Sequence, residues 1–447
     1  MTQVGESVAV TVITEDPPPQ EEQAEEKPKV KLRLCISFDG TLNNRTNTQA
    51  REANNQSYRD AKNSWFQAMR GYGSYENAVS NVAKMDTYID QAQGYDKTIA
   101  IYTEGIGTLD NEVDSFLGKA LGDGQTGIAG KCIKALNEII FKIMDEFEQG
   151  EVIFELISLD LFGFSRGAAA ARHFINYVLD ECDFATFRLS RRLTSANYEV
   201  EKIEVSFVGL YDTVSSFGAP FEHRFNSRYL RLNAVSFAKK VVQLAAAEEH
   251  RENFSLTNID STGGKGTEVF LPGAHSDIGG GYIDGAPESH IINKRLKREL
   301  EIDKSDLIAK GWFLDHEISI SCPESRSNRV RAGLRICKLK TDRLSVAAKY
   351  DRIPLQIMAE FSRDAGLNVK SALEVENDAT EDDLCSIKDE LKSYAKSGSS
   401  KPEDWQGNDA RLKALRNKHL HFSAHLDDTG LGPRFINGER KRLYYDG

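Results

Sequence analysis

The residues most able to do covalent chemistry are Gly163-Phe164-Ser165-Arg166-Gly167, a serine with glycine two positions away on each side. In G-x-S-x-G the small flanking residues permit a sharp strand-to-helix turn that lifts the hydroxyl above a sheet, where it can attack an acyl carbonyl. Such a hydroxyl needs a base to take its proton, and the base needs a carboxylate to orient it. On sheets of this kind the chain order is serine, acid, histidine. Asp212 and His275 keep that order, and each follows an apolar run, so both are expected at the same sheet edge as Ser165.

Alternatives exist for each role. Of nine histidines, His173 falls inside the helix expected after Ser165, and His223, His250, His290 and His316 stand in polar or helical surroundings. His421, in His419-Leu420-His421-Phe422-Ser423, is the serious rival for the base, because a last strand often precedes it. Asp277 competes with Asp212 for the acid, although its place two residues after His275 suits a loop-fixing role. The oxyanion formed on attack needs two N–H donors: the Arg166 amide is one, and the Gly40 or Thr41 amide, in the loop after the first strand, supplies the second. Asp39 shapes that loop. Phe38-Asp39-Gly40-Thr41 resembles part of a phosphatase signature, but Ser37 stands where its nucleophilic aspartate would be, so that chemistry is excluded.

These residues need a frame. Leu32 to Phe38, Thr98 to Tyr102, Phe154 to Phe162, Ile203 to Tyr211 and Thr267 to Leu271 read as strands, and apolar spacing over Ile128 to Phe147 predicts a long amphipathic helix. Strand, loop, helix, strand is the rhythm of an α/β fold with a mostly parallel sheet flanked by helices. The predicted organisation is an acidic tail over 1–30, a catalytic core over 31–290, and a charged, helical cap or membrane- or partner-binding region over 291–447. A strand from His419 to Ala424 is expected to return from that region to the core.

Composition narrows the function. Of 447 residues 40% are hydrophobic and 28% charged, which suits a globular chain. The net charge is −11, but seven acids and no Lys or Arg occupy the first 26 residues, so the remainder is nearly balanced. No basic stripe is present to neutralise phosphates, which argues against nucleic acid as a partner. The six cysteines lie far apart without zinc-ligand spacing and predict a chain that folds with its thiols reduced. The chemistry expected needs no cofactor and no metal. No N-terminal signal pattern and no membrane-length apolar run occur, so export would depend on a machine that reads no cleavable leader.

Five ordered blocks together resemble one family: Phe38-Asp39-Gly40-Thr41 with Asn43-Asn44, Gly105-Ile106-Gly107-Thr108, Gly163-Phe164-Ser165-Arg166-Gly167-Ala168, Tyr211-Asp212-Thr213-Val214, and Pro272-Gly273-Ala274-His275-Ser276-Asp277 through Tyr282. It is the GFSRG-motif α/β-hydrolase family that includes the first class of type VI secretion lipase effectors. The resemblance implies an α/β-hydrolase-like fold, a phospholipase A activity, and the triad Ser165, Asp212 and His275 in preference to His421. It also implies synthesis in the cytoplasm, delivery by a contractile machine into the periplasm of a target cell, a secretion spike or adaptor partner, and an immunity protein. A soluble or non-phospholipid ester as substrate, and a docking role for the acidic tail and the last third, are the competing expectations.

Overall fold

The computed structural model of the chain describes residues 26–63, 73–112, 114, 126–179, 188–215, 229–323, 336–380, 382–398, 400–428 and 430–447. Residues 1–25 of the expected acidic tail lie outside these, as do His223 and Cys182.

Six parallel strands carry the fold: β1 (Lys29–Phe38), β2 (Lys97–Thr103), β3 (Ile153–Phe164), β4 (Ile203–Tyr211), β5 (Lys240–Ala246) and β6 (Gly266–Leu271), in the order β2-β1-β3-β4-β5-β6. A two-residue strand, Glu199–Val200, pairs in parallel beside β3 as the seventh. Along β3 the alternation sends Phe154, Ile157, Leu159 and Leu161 to one face and Phe162 and Phe164 to the other. On the first face they meet α1 (Ile128–Glu146) and α2 (Arg166–Leu179), which contribute Ile139, Ile143, Ala170 and Phe174. Both faces being covered, the inner strands β1, β3, β4 and β5 are buried along most of their length. Each large side chain removed from water stabilises the fold by about 1.5–3 kcal/mol.

Register aligns the strand ends that matter. Phe38 pairs with Gly163, Phe164 with Tyr211, Tyr211 with Leu244, and Ala246 with Leu271. The residues just past β3, β4 and β6 therefore emerge along one edge, and His275 opens α3 (His275–Gly279), a single turn in a segment that the sequence suggests is loop. The sequence reading missed β5, whose Lys240 start looks like solvated surface, although Val241 to Ala246 are fully buried.

The C-terminal third departs from expectation in several ways. It holds a three-stranded antiparallel sheet in the order β7-β9-β8, formed by β7 (Ala286–Leu296), β8 (Ile318–Ser321) and β9 (Ile336–Val346). β7 crosses the expected boundary at 290, and β1 begins inside the expected tail. Helix α4 (Arg352–Asp364) packs Ile357 and Met358 onto the sheet face carrying Phe162, Phe207 and Tyr211, so part of the expected cap is the second layer of the core. The strand expected over His419 to Ala424 is absent. His419 ends α5 (Ala410–His419), and carboxylates take the backbone donors that a strand would offer a neighbour: His421 N donates to Asp277 Oδ2 at 3.1 Å and Phe422 N to Glu288 Oε2 at 3.0 Å. The strand that does return is Tyr444–Tyr445, parallel to Leu256–Thr257.

Cysteine chemistry also differs from the expectation of reduced thiols. Cys322, after β8, and Cys337, on β9, form a disulfide with Cα atoms 4.3 Å apart. Two antiparallel neighbours bring together residues that sequence spacing alone leaves unrelated. Among the described cysteines the bond takes Cys322 and Cys337 and leaves Cys35, Cys132 and Cys385 as thiols, so a reductant should raise the thiol count of the denatured chain by two. A count of six before reduction would remove the bond.

Candidate active site

Ser165 sits between β3 and α2 with φ at +58°, a left-handed conformation that costs a non-glycine residue about 1 kcal/mol or more. Two backbone bonds hold it there: Ser165 N donates to Tyr211 O at 3.0 Å, and Val214 N donates to Ser165 O at 3.3 Å. The flanking glycines are obligatory by contact. A Cβ on Gly163 would lie 2.5 Å from Ala168 Cα, and one on Gly167 2.2 Å from Asp39 O. Close approach of β3, α2 and the loop after β1 thus explains the spacing of the motif.

Asp212 follows β4 directly, also at positive φ, and His275 opens α3. His275 Nδ1 meets Asp212 Oδ2 at 2.5 Å, which leaves the other ring nitrogen for a proton from elsewhere. The ring packs on Phe164, the residue before Ser165, with centroids 4.6 Å apart, and edge-on to Phe254 at 5.0 Å. Ser165 and His275 are both nearly buried, where charge interactions are stronger than in water. Burial pushes the His275 imidazole towards its neutral, proton-accepting form, and Asp212 only partly offsets this.

Two arginine–carboxylate pairs surround this contact, and neither is legible as part of a triad in the sequence. Arg442 reaches in from beside the Tyr444–Tyr445 strand and forks onto Asp212, Nη1 to Oδ1 at 2.6 Å and Nη2 to Oδ2 at 2.8 Å. Burial pushes the Asp212 carboxyl up, but Arg442 and His275 outweigh it and hold the group below the usual carboxylate range. Glu249, after β5, accepts Arg251 Nη2 at 2.8 Å and the backbone N of His275 at 3.2 Å. Burial would raise Glu249, yet Arg251 brings it well below an ordinary glutamate.

The loop after β1 lies against the elbow: Arg166 Nε donates to Thr41 Oγ1 at 2.7 Å. Asp39 is buried in that loop and accepts Gly40 N at 2.7 Å, Ser80 Oγ at 2.6 Å and Tyr102 OH at 2.6 Å. The Gly40 amide is therefore already engaged by a carboxylate. Asp277 accepts Ala274 N at 2.8 Å and His421 Nδ1 at 2.8 Å. The rival pair of the sequence reading is thus its own unit, fastening α3 to the segment after α5, while Asp212 and His275 form the other.

Comparison with known proteins bears on this arrangement. Residues 32–183 and 183–298 match the family model described as the catalytic domain of Tle1-like phospholipase effectors of the type VI secretion system, more than half of the chain. The chain belongs to that family. A solved structure described as the Tle1 effector bound to the VgrG spike from the type 6 secretion system is similar in fold, with a TM-score of 0.63 at 23% identity over 97% of this chain and 98% of that one. An uncharacterized protein from Pseudomonas aeruginosa gives a TM-score of 0.43 at 18% identity, covering 85% of this chain and 52% of that one. No curated protein matches by sequence.

The Tle1-like match spans β1 to β6 and holds Ser165, Asp212, Glu249 and His275, whereas Arg442 and His421 lie beyond its end at 298. Among the described residues of this Tle1-like chain, one set, His290, His425 and Asp427, brings metal-ligand atoms within 4.8 Å of one another. Its imidazole rings stack at 4.1 Å with planes 5° apart, and His290 Nδ1 pairs with Asp427 Oδ2 at 3.0 Å.

Proposed function

We propose that this chain is a serine esterase that cleaves an acyl ester of glycerophospholipids. Ser165 Oγ attacks the ester carbonyl, the free ring nitrogen of His275 takes its proton, and Asp212 holds the resulting imidazolium. The backbone N–H groups of Arg166 and Thr41 bind the oxyanion, and Thr41 is favoured over Gly40 because Asp39 already engages the Gly40 amide. His275 then returns the proton to the departing lysophospholipid oxygen and activates water to release the fatty acid. The observation that carries the reading is the 2.5 Å contact between Asp212 and His275, one strand away from a serine held at positive φ.

The family's description as phospholipase effectors supports lipid as the substrate class. The fold shared with a spike-bound effector supports a secretion spike as partner. In the same reading the target compartment is the periplasm of another cell, and an immunity protein blocks the site in the producer.

The test uses vesicles of a phospholipid carrying different acyl chains at its two positions. The purified chain should release one free fatty acid and the complementary lysophospholipid, identified by mass spectrometry, and which acid appears separates A1 from A2 cleavage. Intact vesicles beside brisk hydrolysis of a short monomeric ester would replace lipid with a soluble substrate.

A further inference from the structure

A serine hydrolase site needs one carboxylate behind its histidine, yet here that carboxylate also carries a full guanidinium. Every oxygen lone pair of Asp212 directed into the protein is taken. Oδ1 accepts Ala246 N at 2.8 Å and Arg442 Nη1 at 2.6 Å, while Oδ2 accepts His275 Nδ1 and Arg442 Nη2. Arg442 is itself fixed by Phe254 O on Nε at 2.7 Å and Ala246 O on Nη1 at 3.2 Å. Backbone pairing around it, Leu256 N to Leu443 O and Asn258 N to Tyr445 O at 2.9 Å each, locks the segment that delivers it.

We propose that Arg442 is a positioning residue of the hydrolytic site: its fork aims the Asp212 carboxylate at His275, and its guanidinium balances the charge of that carboxylate behind the imidazole. The proposal rests on the esterase reading and deepens it. A planar fork fixes a planar carboxylate in rotation as well as position, which one ammonium contact cannot do. The electrostatic half follows from the groups that face the pair. Asp212 and Glu249 are negative; Arg442, and Arg251 on Glu249, are positive, so the local sum is zero. Asp277, on the same turn as His275, is paired with His421, and among the described residues Tyr444 and His250 also face Arg442 while Tyr282 faces Arg251. Removing Arg442 leaves a net negative charge, so the pair binds a proton more tightly and the site loses its base at a higher pH.

The experiment compares kcat/KM against pH for the wild type, Arg442→Gln and Arg442→Lys on vesicles, with thermal midpoints measured in parallel. For Arg442→Gln the acidic limb should move up by about one pH unit, which is about a tenfold loss on that limb. For Arg442→Lys the limb should stay near its wild-type position, while kcat at the plateau falls several-fold with KM unchanged, because the charge remains and the fork is lost. A role confined to stability would lower the thermal midpoint of both variants with an unmoved limb in Arg442→Gln, and would overturn the proposal. Should Arg442→Gln fail to fold, wild-type kcat in Arg442→Lys overturns it alone. Loss of Ser165 separates the two levels: if Ser165→Ala retains hydrolysis, the esterase reading fails, whereas an inert Ser165→Ala beside an unmoved Arg442→Gln profile removes only Arg442.

Discussion

Ser165→Ala should lower phospholipid hydrolysis by about 10⁴- to 10⁶-fold, and His275→Ala by a similar factor. The two should not multiply, because without its base the hydroxyl is a weak nucleophile, and without the hydroxyl the imidazole has no proton to take. The double variant should therefore stay within about tenfold of either single one. Stability is a separate matter. Alanine at 165 keeps a side chain at the same positive φ and removes only one oxygen, so the thermal midpoint should shift by no more than a few degrees. Full activity in Ser165→Ala, measured as fatty acid released per folded molecule, would end the assignment.

That Ser165, Asp212 and His275 can be placed along one sheet edge from the sequence alone has a physical reason. Ser165 and Asp212 follow inner strands covered on both faces, His275 follows the short apolar end Val269 to Leu271 of the edge strand β6, and parallel strands put their C-terminal ends on one edge, so strand ends can be counted without knowing any contact. Gly163 and Gly167 were legible because the turn leaves no room for a Cβ. The residues that escaped notice act across long separations. Arg442 stands 230 positions from Asp212, in a segment with no motif, and its role exists only once Tyr444 and Tyr445 pair beside Leu256. Glu249 lies in a stretch that carries no catalytic motif, and β5 before it, with Val241 to Ala246 buried behind Lys240, is absent from the strands read in the sequence. The expected strand at His419 to Ala424 failed for a related reason. Its alternating residues suit a sheet, but Asp277 and Glu288 reach its backbone first, and no sequence pattern announces a carboxylate arriving from 134 or more positions away.

Asp212→Asn should cost both turnover and stability, and Arg442 is what ties the two together. An asparagine amide keeps the size of the carboxylate but cannot enforce the required tautomer of His275 or balance its positive charge, so kcat should fall by about 10⁴-fold. The same change leaves the Arg442 guanidinium buried without its counter-charge, a state that typically destabilises a protein by about 3–5 kcal/mol. A triad acid with no such cation behind it can be replaced by asparagine with its geometry intact and only its activity lost. Adding Arg442→Gln to Asp212→Asn removes the stranded charge, so the double variant should recover much of the thermal stability lost by Asp212→Asn and none of its activity. Denaturation midpoints and vesicle hydrolysis on the four chains of this cycle measure the coupling directly. Additive losses of stability would mean that the two side chains do not share charge in the folded protein. That result would leave Ser165 and His275 untouched while withdrawing the electrostatic account of the pair behind them.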